Sequence, residues 1–192
     1  MNKTTKFLNI TCSMCGLCDS LVDSRIQNKD EVRLEAYKKT SFKKICPSIG
    51  INRAKLNLST KKNHPLVGSY RDVYTGFSNN SKQRLSSSSG GVITEVLCFL
   101  LEEKIVDYIC LPMPDSKKET THTYELCNKT KDIRSSAQSI YTKVPAWGAI
   151  DKINSTKGKV AFVGLPDQIA SLKALKNIDK NLDSKIKMMI GP

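Results

Sequence analysis

Three cysteines, Cys12, Cys15 and Cys18, stand at one repeated spacing in the run T-C-S-M-C-G-L-C-D. The C-x2-C-x2-C spacing lets a short loop turn three thiolates toward one iron-sulfur cube, because each two-residue gap allows the backbone to curl around a face of the cluster. Gly16 relieves backbone crowding inside the loop. The spacing predicts a 4Fe-4S cluster, and therefore a protein that handles electrons.

The fourth ligand of such a cluster must come from elsewhere in the chain. A bacterial ferredoxin places it shortly after the third cysteine, where this chain has Val22 and Asp23. Cys46 is the best candidate, because Pro47 follows it, stiffens the backbone and removes an amide donor. The predicted metal ligands are Cys12, Cys15, Cys18 and Cys46. Zinc and inert thiols stay open as alternatives, although neither histidine stands in a zinc knuckle.

A second candidate site is the turn 88–91, where the serine-rich run R-L-S-S-S-S-G-G leads into the apolar run V-I-T-E-V-L. Backbone amides and hydroxyl groups at a helix start bind anions, with the helix dipole behind them. Glycines let the backbone approach a phosphate closely. Serine and glycine also cap helices that bind nothing, so the residues alone leave both interpretations open.

The elements that must position these residues change in character near residue 65. The first 65 residues are irregular, with one polar helical stretch at 28–44. Beyond them, the apolar pattern predicts an extended segment or strand pair at 69–77, helices at 92–101, 147–154 and 167–175, strands at 105–111, 159–164 and 185–191, and a hairpin through 124–127. We therefore expect an α/β protein: a small irregular iron-sulfur module (1–65) followed by an α/β domain (66–192) with a mainly parallel or mixed sheet.

Composition and charge limit the kinds of binding partner and the cellular compartment that we expect. The net charge of +13 comes from scattered lysines, aromatic residues are 6%, and no nucleic-acid recognition motif is present. The charge therefore favours plain solvated lysines first and an acidic protein partner second, and we expect no nucleic acid. The longest apolar run, 96–101, is too short to cross a bilayer, and no signal peptide pattern opens the chain. Seven cysteines with three inside seven positions are not typical of a disulfide framework. These features predict a cytoplasmic protein.

Four blocks in order resemble the coenzyme F-420 hydrogenase/dehydrogenase beta subunit family. They are C-S-M-C-G-L-C-D, then H-P-L-V-G-S-Y-R-D-V-Y-T-G-F with R-L-S-S-S-S-G-G-V-I-T-E-V-L-C-F-L-L-E, then I-Y-T-K-V-P, and G-K-V-A-F-V-G-L-P-D-Q-I-A-S-L-K-A-L. The resemblance implies an iron-sulfur flavoprotein oxidoreductase subunit. It would relay electrons between a ferredoxin-like donor or partner oxidoreductase subunit, a 4Fe-4S cluster and FAD, to reduce a two-electron acceptor of the coenzyme F-420 type. The implied cofactor-binding residues are Ser88, Ser89, Gly90, Gly91, Thr94, Gly164, Pro166 and Gln168.

Two features depart from the pattern of that family. Asp167 stands in G-L-P-D-Q where the family has a cysteine, so a redox role there is lost or passes to a harder, weaker carboxylate ligand. The sequence also stops at Pro192, where such proteins continue, which predicts a chain that is truncated relative to that family and lacks its usual C-terminal region. The alternative functions are a truncated, non-catalytic electron-transfer module that needs a partner chain, and a zinc-stabilised binding module.

Overall fold

The computed structural model of the chain describes residues 12–16, 21–22, 28–50, 62–66, 68–115 and 118–192. The polar stretch predicted as one helix forms two, α1 (Lys29–Lys38) and α2 (Thr40–Ile45). A short antiparallel hairpin follows, made of β1 (Lys62–His64) and β2 (Gly68–Tyr70). β1 ends before the predicted boundary between residues 65 and 66, and β2 begins after it. The division into two domains stays a prediction.

A four-stranded mixed sheet forms the centre of the fold. Its strands are β3 (Tyr108–Asp115), β4 (Lys118–Cys127), β5 (Val160–Val163) and β6 (Ile186–Ile190), in the order β4-β3-β5-β6. β3 pairs antiparallel with β4 and parallel with β5, and β5 pairs parallel with β6. The predicted α/β fold with a mixed sheet is confirmed. Of the segment 69–77, only the first residues lie in a strand, and residues 71–77 run outside any strand or helix.

Helices cover both faces of this sheet, which is why its central strands are continuous apolar runs. The described helices of this part are α3 (Ser81–Ser86), α4 (Val92–Glu102), α5 (Thr130–Ser135), α6 (Trp147–Ser155), α7 (Pro166–Lys176) and α8 (Lys180–Lys185). On one face, Leu97 and Ile133 of α4 and α5 cluster with Ile109 and Ala161 of the sheet.

The opposite face of the sheet carries the larger core cluster. There Ile153, Leu172 and Leu182, from α6, α7 and α8, cluster with Phe162 of β5. Ile45 of α2 is fully buried in the same cluster, so the segment that carries Cys46 is anchored on this face. Among the described residues, no helix has the length and apolar character that crossing a membrane requires.

Candidate functional site

A cavity of about 630 Å³ opens beyond the carboxyl end of β5, where α4 and α7 begin. Ligands of open α/β sheets bind at this edge, because loops and helix N-termini meet there. The volume lies within the range of roughly 300–1,000 Å³ that small-molecule and cofactor sites occupy. Most of the lining comes from the segments 87–94, 136–142 and 163–165, together with Gln168 and parts of β3 and β4.

Most of the residues expected to bind a cofactor line this cavity. The lining includes Ser88, Ser89, Gly90, Gly91, Thr94, Gly164 and Gln168. Pro166 is not part of the lining; it is the first residue of α7 and follows the lining residue Leu165. The structure therefore brings together two blocks that lie 70 positions apart in the sequence.

The Ser88–Gly91 turn is held in place by the backbone around it. Gly91 caps α4 with φ of +76°, and a Cβ there would lie 3.2 Å from both Ser78 Cβ and Ser87 Oγ. The Ser78 amide donates to the Gly90 carbonyl at 2.7 Å. Ser88 Oγ accepts a hydrogen bond from the Ser139 amide at 2.7 Å, which joins two walls of the cavity. The turn therefore requires glycine at position 91.

A charged pair behind the turn was not expected from the sequence. Arg134 Nη1 and Nη2 donate to Glu95 Oε1 and Oε2 at 2.9 and 3.1 Å, and Ser78 Oγ donates to Glu95 Oε1 at 2.6 Å. Arg134 also donates to Gln83 Oε1 at 3.3 Å, and Gln83 Nε2 donates to Ser87 Oγ at 3.1 Å. The bonds from Arg134 and Ser78 hold the pKa of Glu95 below its usual range. This network connects α4, α5 and the serine turn.

Gln168 forms a buried polar wall of the cavity with all of its amide atoms engaged. Its Oε1 accepts from Tyr124 OH at 2.8 Å and from the Leu165 amide at 2.9 Å, while its Nε2 donates to the Val144 carbonyl at 2.9 Å. Tyr124 stacks on Phe162 with the ring centroids 5.2 Å apart. Burial raises the pKa of the Tyr124 phenol well above its usual range. Tyr124 is therefore a neutral hydrogen-bond donor at physiological pH.

Gly164 allows this wall to form. A Cβ at this position would lie 2.5 Å from Cε1 of Phe162 and 3.0 Å from Gln168 Oε1. Asp167 precedes Gln168 in the first turn of α7 and is half-buried. The family-derived role of Gly164 stays a prediction, but the close contact gives a physical reason for glycine at the position.

The cysteine loop, residues 12–16, lies against two other segments. The Ser13 amide donates to Ser48 Oγ at 3.1 Å, and the Ala146 amide donates to the Cys15 carbonyl at 2.9 Å. Burial raises the pKa of the Cys46 thiol, and the nearby Cys12 adds to that rise. The structure thus brings Cys46 close to the loop that carries Cys12 and Cys15. Cys18 lies outside the described residues.

The donor set fits a thiophilic metal group. Within the described residues, the side chains alone do not complete a three-ligand metal site, and the Cys18 ligand predicted from the spacing is not among them. Partial burial opposes ionisation of the Cys46 thiol, and a bound cation beside it would reverse that penalty. Cys98 and Cys110 are buried in the core, and burial raises the pKa of both thiols.

Comparison with known protein families matches part of the chain. Residues 73–151 match the family described as coenzyme F420 hydrogenase/dehydrogenase, beta subunit N-terminal. That segment contains the serine turn, the Glu95–Arg134 pair and Val144. The match over this segment supports the resemblance to that family that the sequence indicated.

A solved structure shares the fold. It is a chain of the xenon-derivatised F420-reducing [NiFe] hydrogenase complex from Methanosarcina barkeri, with a TM-score of 0.58 and 16% sequence identity. The match covers 68% of the present chain and 46% of that one, so the present chain spans about half the length of its solved relative. No curated protein matches the sequence significantly.

Proposed function

We propose that the chain is an electron-transfer oxidoreductase subunit in which the cysteine loop and Cys46 hold a 4Fe-4S cluster and the cavity holds FAD. The observation that carries this proposal is the position of the cavity. It lies beyond the carboxyl end of β5, it is lined by the serine turn and Gln168, and its wall continues through residues 144–146 to Cys15. The two sites are thus neighbours in one folded unit.

The serine turn would bind the anionic part of the cofactor. α4 begins immediately after Gly91, so its free backbone amides and positive dipole end face the cavity beside the hydroxyl groups of Ser88 and Ser89. Apolar side chains such as Leu111 and Val163 form the remaining wall and exclude water from the ring of a bound cofactor. The Glu95–Arg134 pair fixes the turn from behind.

Bound flavin would supply the conversion between one-electron transfer at a cluster and two-electron hydride chemistry. The acceptor in this proposal is a two-electron carrier of the coenzyme F-420 type. Tyr124 and Gln168 are hydrogen-bonded to each other, and both are almost completely buried. They would therefore give the wall of the cavity a fixed shape.

The proposal includes a partner, either a ferredoxin-like donor or an oxidoreductase subunit. The segment 73–77 and α4 expose six large apolar side chains, those of Val73, Tyr74, Phe77, Val92, Val96 and Phe99. Gly76 runs beside Val92, so the segment and the helix are adjacent. A cluster of this kind is typical of a protein-protein contact. The net charge of +13 favours an acidic partner, and its association should weaken as salt increases. An association constant independent of salt would contradict this argument.

A second candidate function is an electron-transfer module that does no catalysis itself and needs a partner chain. Asp167 favours it, because a carboxylate precedes Gln168 in the first turn of α7, where the resemblance leads us to expect a cysteine. The two candidates differ in one measurement. A catalytic subunit binds FAD tightly on its own and reduces a dye, whereas the module carries the cluster and reduces the dye only with its partner.

Anaerobic purification tests the cluster. We expect brown protein with iron and acid-labile sulfide in equal amounts, together with flavin released on denaturation. Cys15→Ala should remove the visible cluster absorption, and Cys98→Ala, a buried cysteine in another core cluster, should keep it. Colourless protein without iron, sulfide and flavin would refute the proposal, and stoichiometric zinc would replace it with a zinc-stabilised binding module.

A further inference from the structure

We infer that Gln168 is a positioning residue that ties the cysteine loop to the wall of the cavity through the segment 144–146. Hydrogen exchange in the metal-free chain tests this inference without a cofactor, whereas bleaching by an iron chelator rests on the proposed function.

Two hydrogen bonds at opposite ends of one short segment carry the inference. Gln168 Nε2 donates to the Val144 carbonyl at 2.9 Å, and two residues further on the Ala146 amide donates to the Cys15 carbonyl at 2.9 Å. Lys143, which precedes the segment, has its Nζ 3.6 Å from Met14 Sδ in the cysteine loop. The segment 144–146 therefore connects the cysteine loop to a side chain that lines the cavity.

Burial makes the connection rigid. Val144 and Ala146 are 8% and 3% exposed, and Gln168 is 5% exposed. A buried carbonyl that loses its donor is not compensated by water, so the Val144 carbonyl depends on the Gln168 amide. The Gln168 amide in turn cannot rotate, because its oxygen already accepts from Tyr124 OH and from the Leu165 amide.

Only an amide side chain satisfies all of these partners. Gln168 must accept on one side and donate on the other, which a hydrocarbon of the same length cannot do. Gln168→Met therefore keeps the approximate volume and removes every bond. Tyr124→Phe removes one of the two bonds to Oε1 and leaves the bond to Val144. These two variants separate the connection to the cysteine loop from the rest of the wall.

The first experiment measures hydrogen exchange at the Ala146 amide in the metal-free full chain. Gln168→Met should speed its exchange about 5- to 150-fold, the equivalent of roughly 1–3 kcal/mol for an unsatisfied buried carbonyl. Tyr124→Phe should change it by less than about threefold. Gln138→Met, a matched change at an exposed cavity residue, should leave it unchanged. The amide of Glu103, which follows α4 and donates to the Phe99 carbonyl at 2.9 Å, should keep its rate in every variant.

The second experiment measures how fast an iron chelator bleaches the visible absorption of anaerobically purified protein. Gln168→Met should bleach several-fold faster than wild type and Gln138→Met, although residue 168 supplies no ligand. Equal Ala146 exchange in wild type and Gln168→Met would overturn the inference, and so would exchange that rises equally at Glu103. Wild type that binds no iron refutes the proposed function and leaves the exchange result valid.

Discussion

Replacing Arg134 with methionine removes the cation that holds the serine turn from behind. The change deletes two hydrogen bonds to the Glu95 carboxylate, at 2.9 and 3.1 Å, and one to Gln83 at 3.3 Å. Methionine keeps most of the side-chain length on α5. Glu95 would then retain Ser78 Oγ as its hydrogen-bond donor in this network. We expect a less stable chain with a looser turn.

The expected loss of stability is moderate. Arg134 and Glu95 have the same exposure, 32%, so solvent screens the pair and the cost is far below that of a buried ion pair. Two charge-assisted bonds in bidentate geometry, with the extra bond to Gln83, should contribute about 1–2 kcal/mol. For a chain of this length that is a Tm decrease of roughly 2–8 °C.

The pH dependence follows from the depressed pKa of Glu95. Because the folded pKa lies below the unfolded one, the stabilisation is complete above the unfolded pKa of about 4.3 and is lost as the pH falls through the folded pKa. The Tm difference between wild type and Glu95→Gln should therefore be full at pH 7 and shrink below about pH 4.

Thermal unfolding of four proteins measures the pair: wild type, Arg134→Met, Glu95→Gln and the double variant. If the side chains interact, the double variant loses less than the sum of the single losses. Glu35→Gln is the matched control, since it breaks a more exposed ion pair with Lys38 on α1 and should cost under about 0.5 kcal/mol. Additive losses, or a Tm difference that stays constant down to pH 3, would refute the reasoning.

Three further predictions concern single positions. Gly91→Ala should lower the free energy of unfolding by about 1–2 kcal/mol, because φ is +76° and the new Cβ would meet two atoms at 3.2 Å. Gly148→Ala in α6, where nothing lies within 4 Å of the added Cβ, should be neutral or stabilising when both variants are measured by thermal unfolding. Cys127 should resist alkylation by iodoacetamide at pH 8 in the folded chain, since burial raises its pKa to about 11, and rapid labelling at this position would contradict that. Phe99→Ser should lower Tm by less than about 2 °C, because the ring is 54% exposed and contributes little to the core.

Much of the fold follows from local apolar patterns. The strands predicted at 159–164 and 185–191 correspond to β5 and β6, and the helices predicted at 92–101 and 167–175 to α4 and α7. Each is a long apolar or amphipathic run. Short polar helices such as α3 and α8 have six residues and no such periodicity, so the sequence does not mark them. The break between α1 and α2 at Lys39 is likewise unmarked.

The candidate site also contains some residues that the sequence marks and others that it does not. The serine turn has a local sequence signal, and the structure places it at the cavity. The Glu95–Arg134 pair joins residues 39 positions apart, and no spacing rule connects them. Gln168 was expected to contact a cofactor, whereas its three hydrogen bonds to the protein become visible only when Tyr124 and Val144 are placed in space.

The strand order also has a consequence for the newly made chain. β3 can pair with β4 as soon as the hairpin leaves the ribosome, but its other edge pairs with β5, which is synthesised only after α5 and α6. During that interval the apolar β3 residues Ile109 and Leu111 lie on a strand with one unpaired edge. Open edges of this kind recruit other strands. Slow synthesis or overexpression should therefore favour aggregation through β3, and a chaperone that covers this edge should raise the yield of folded protein.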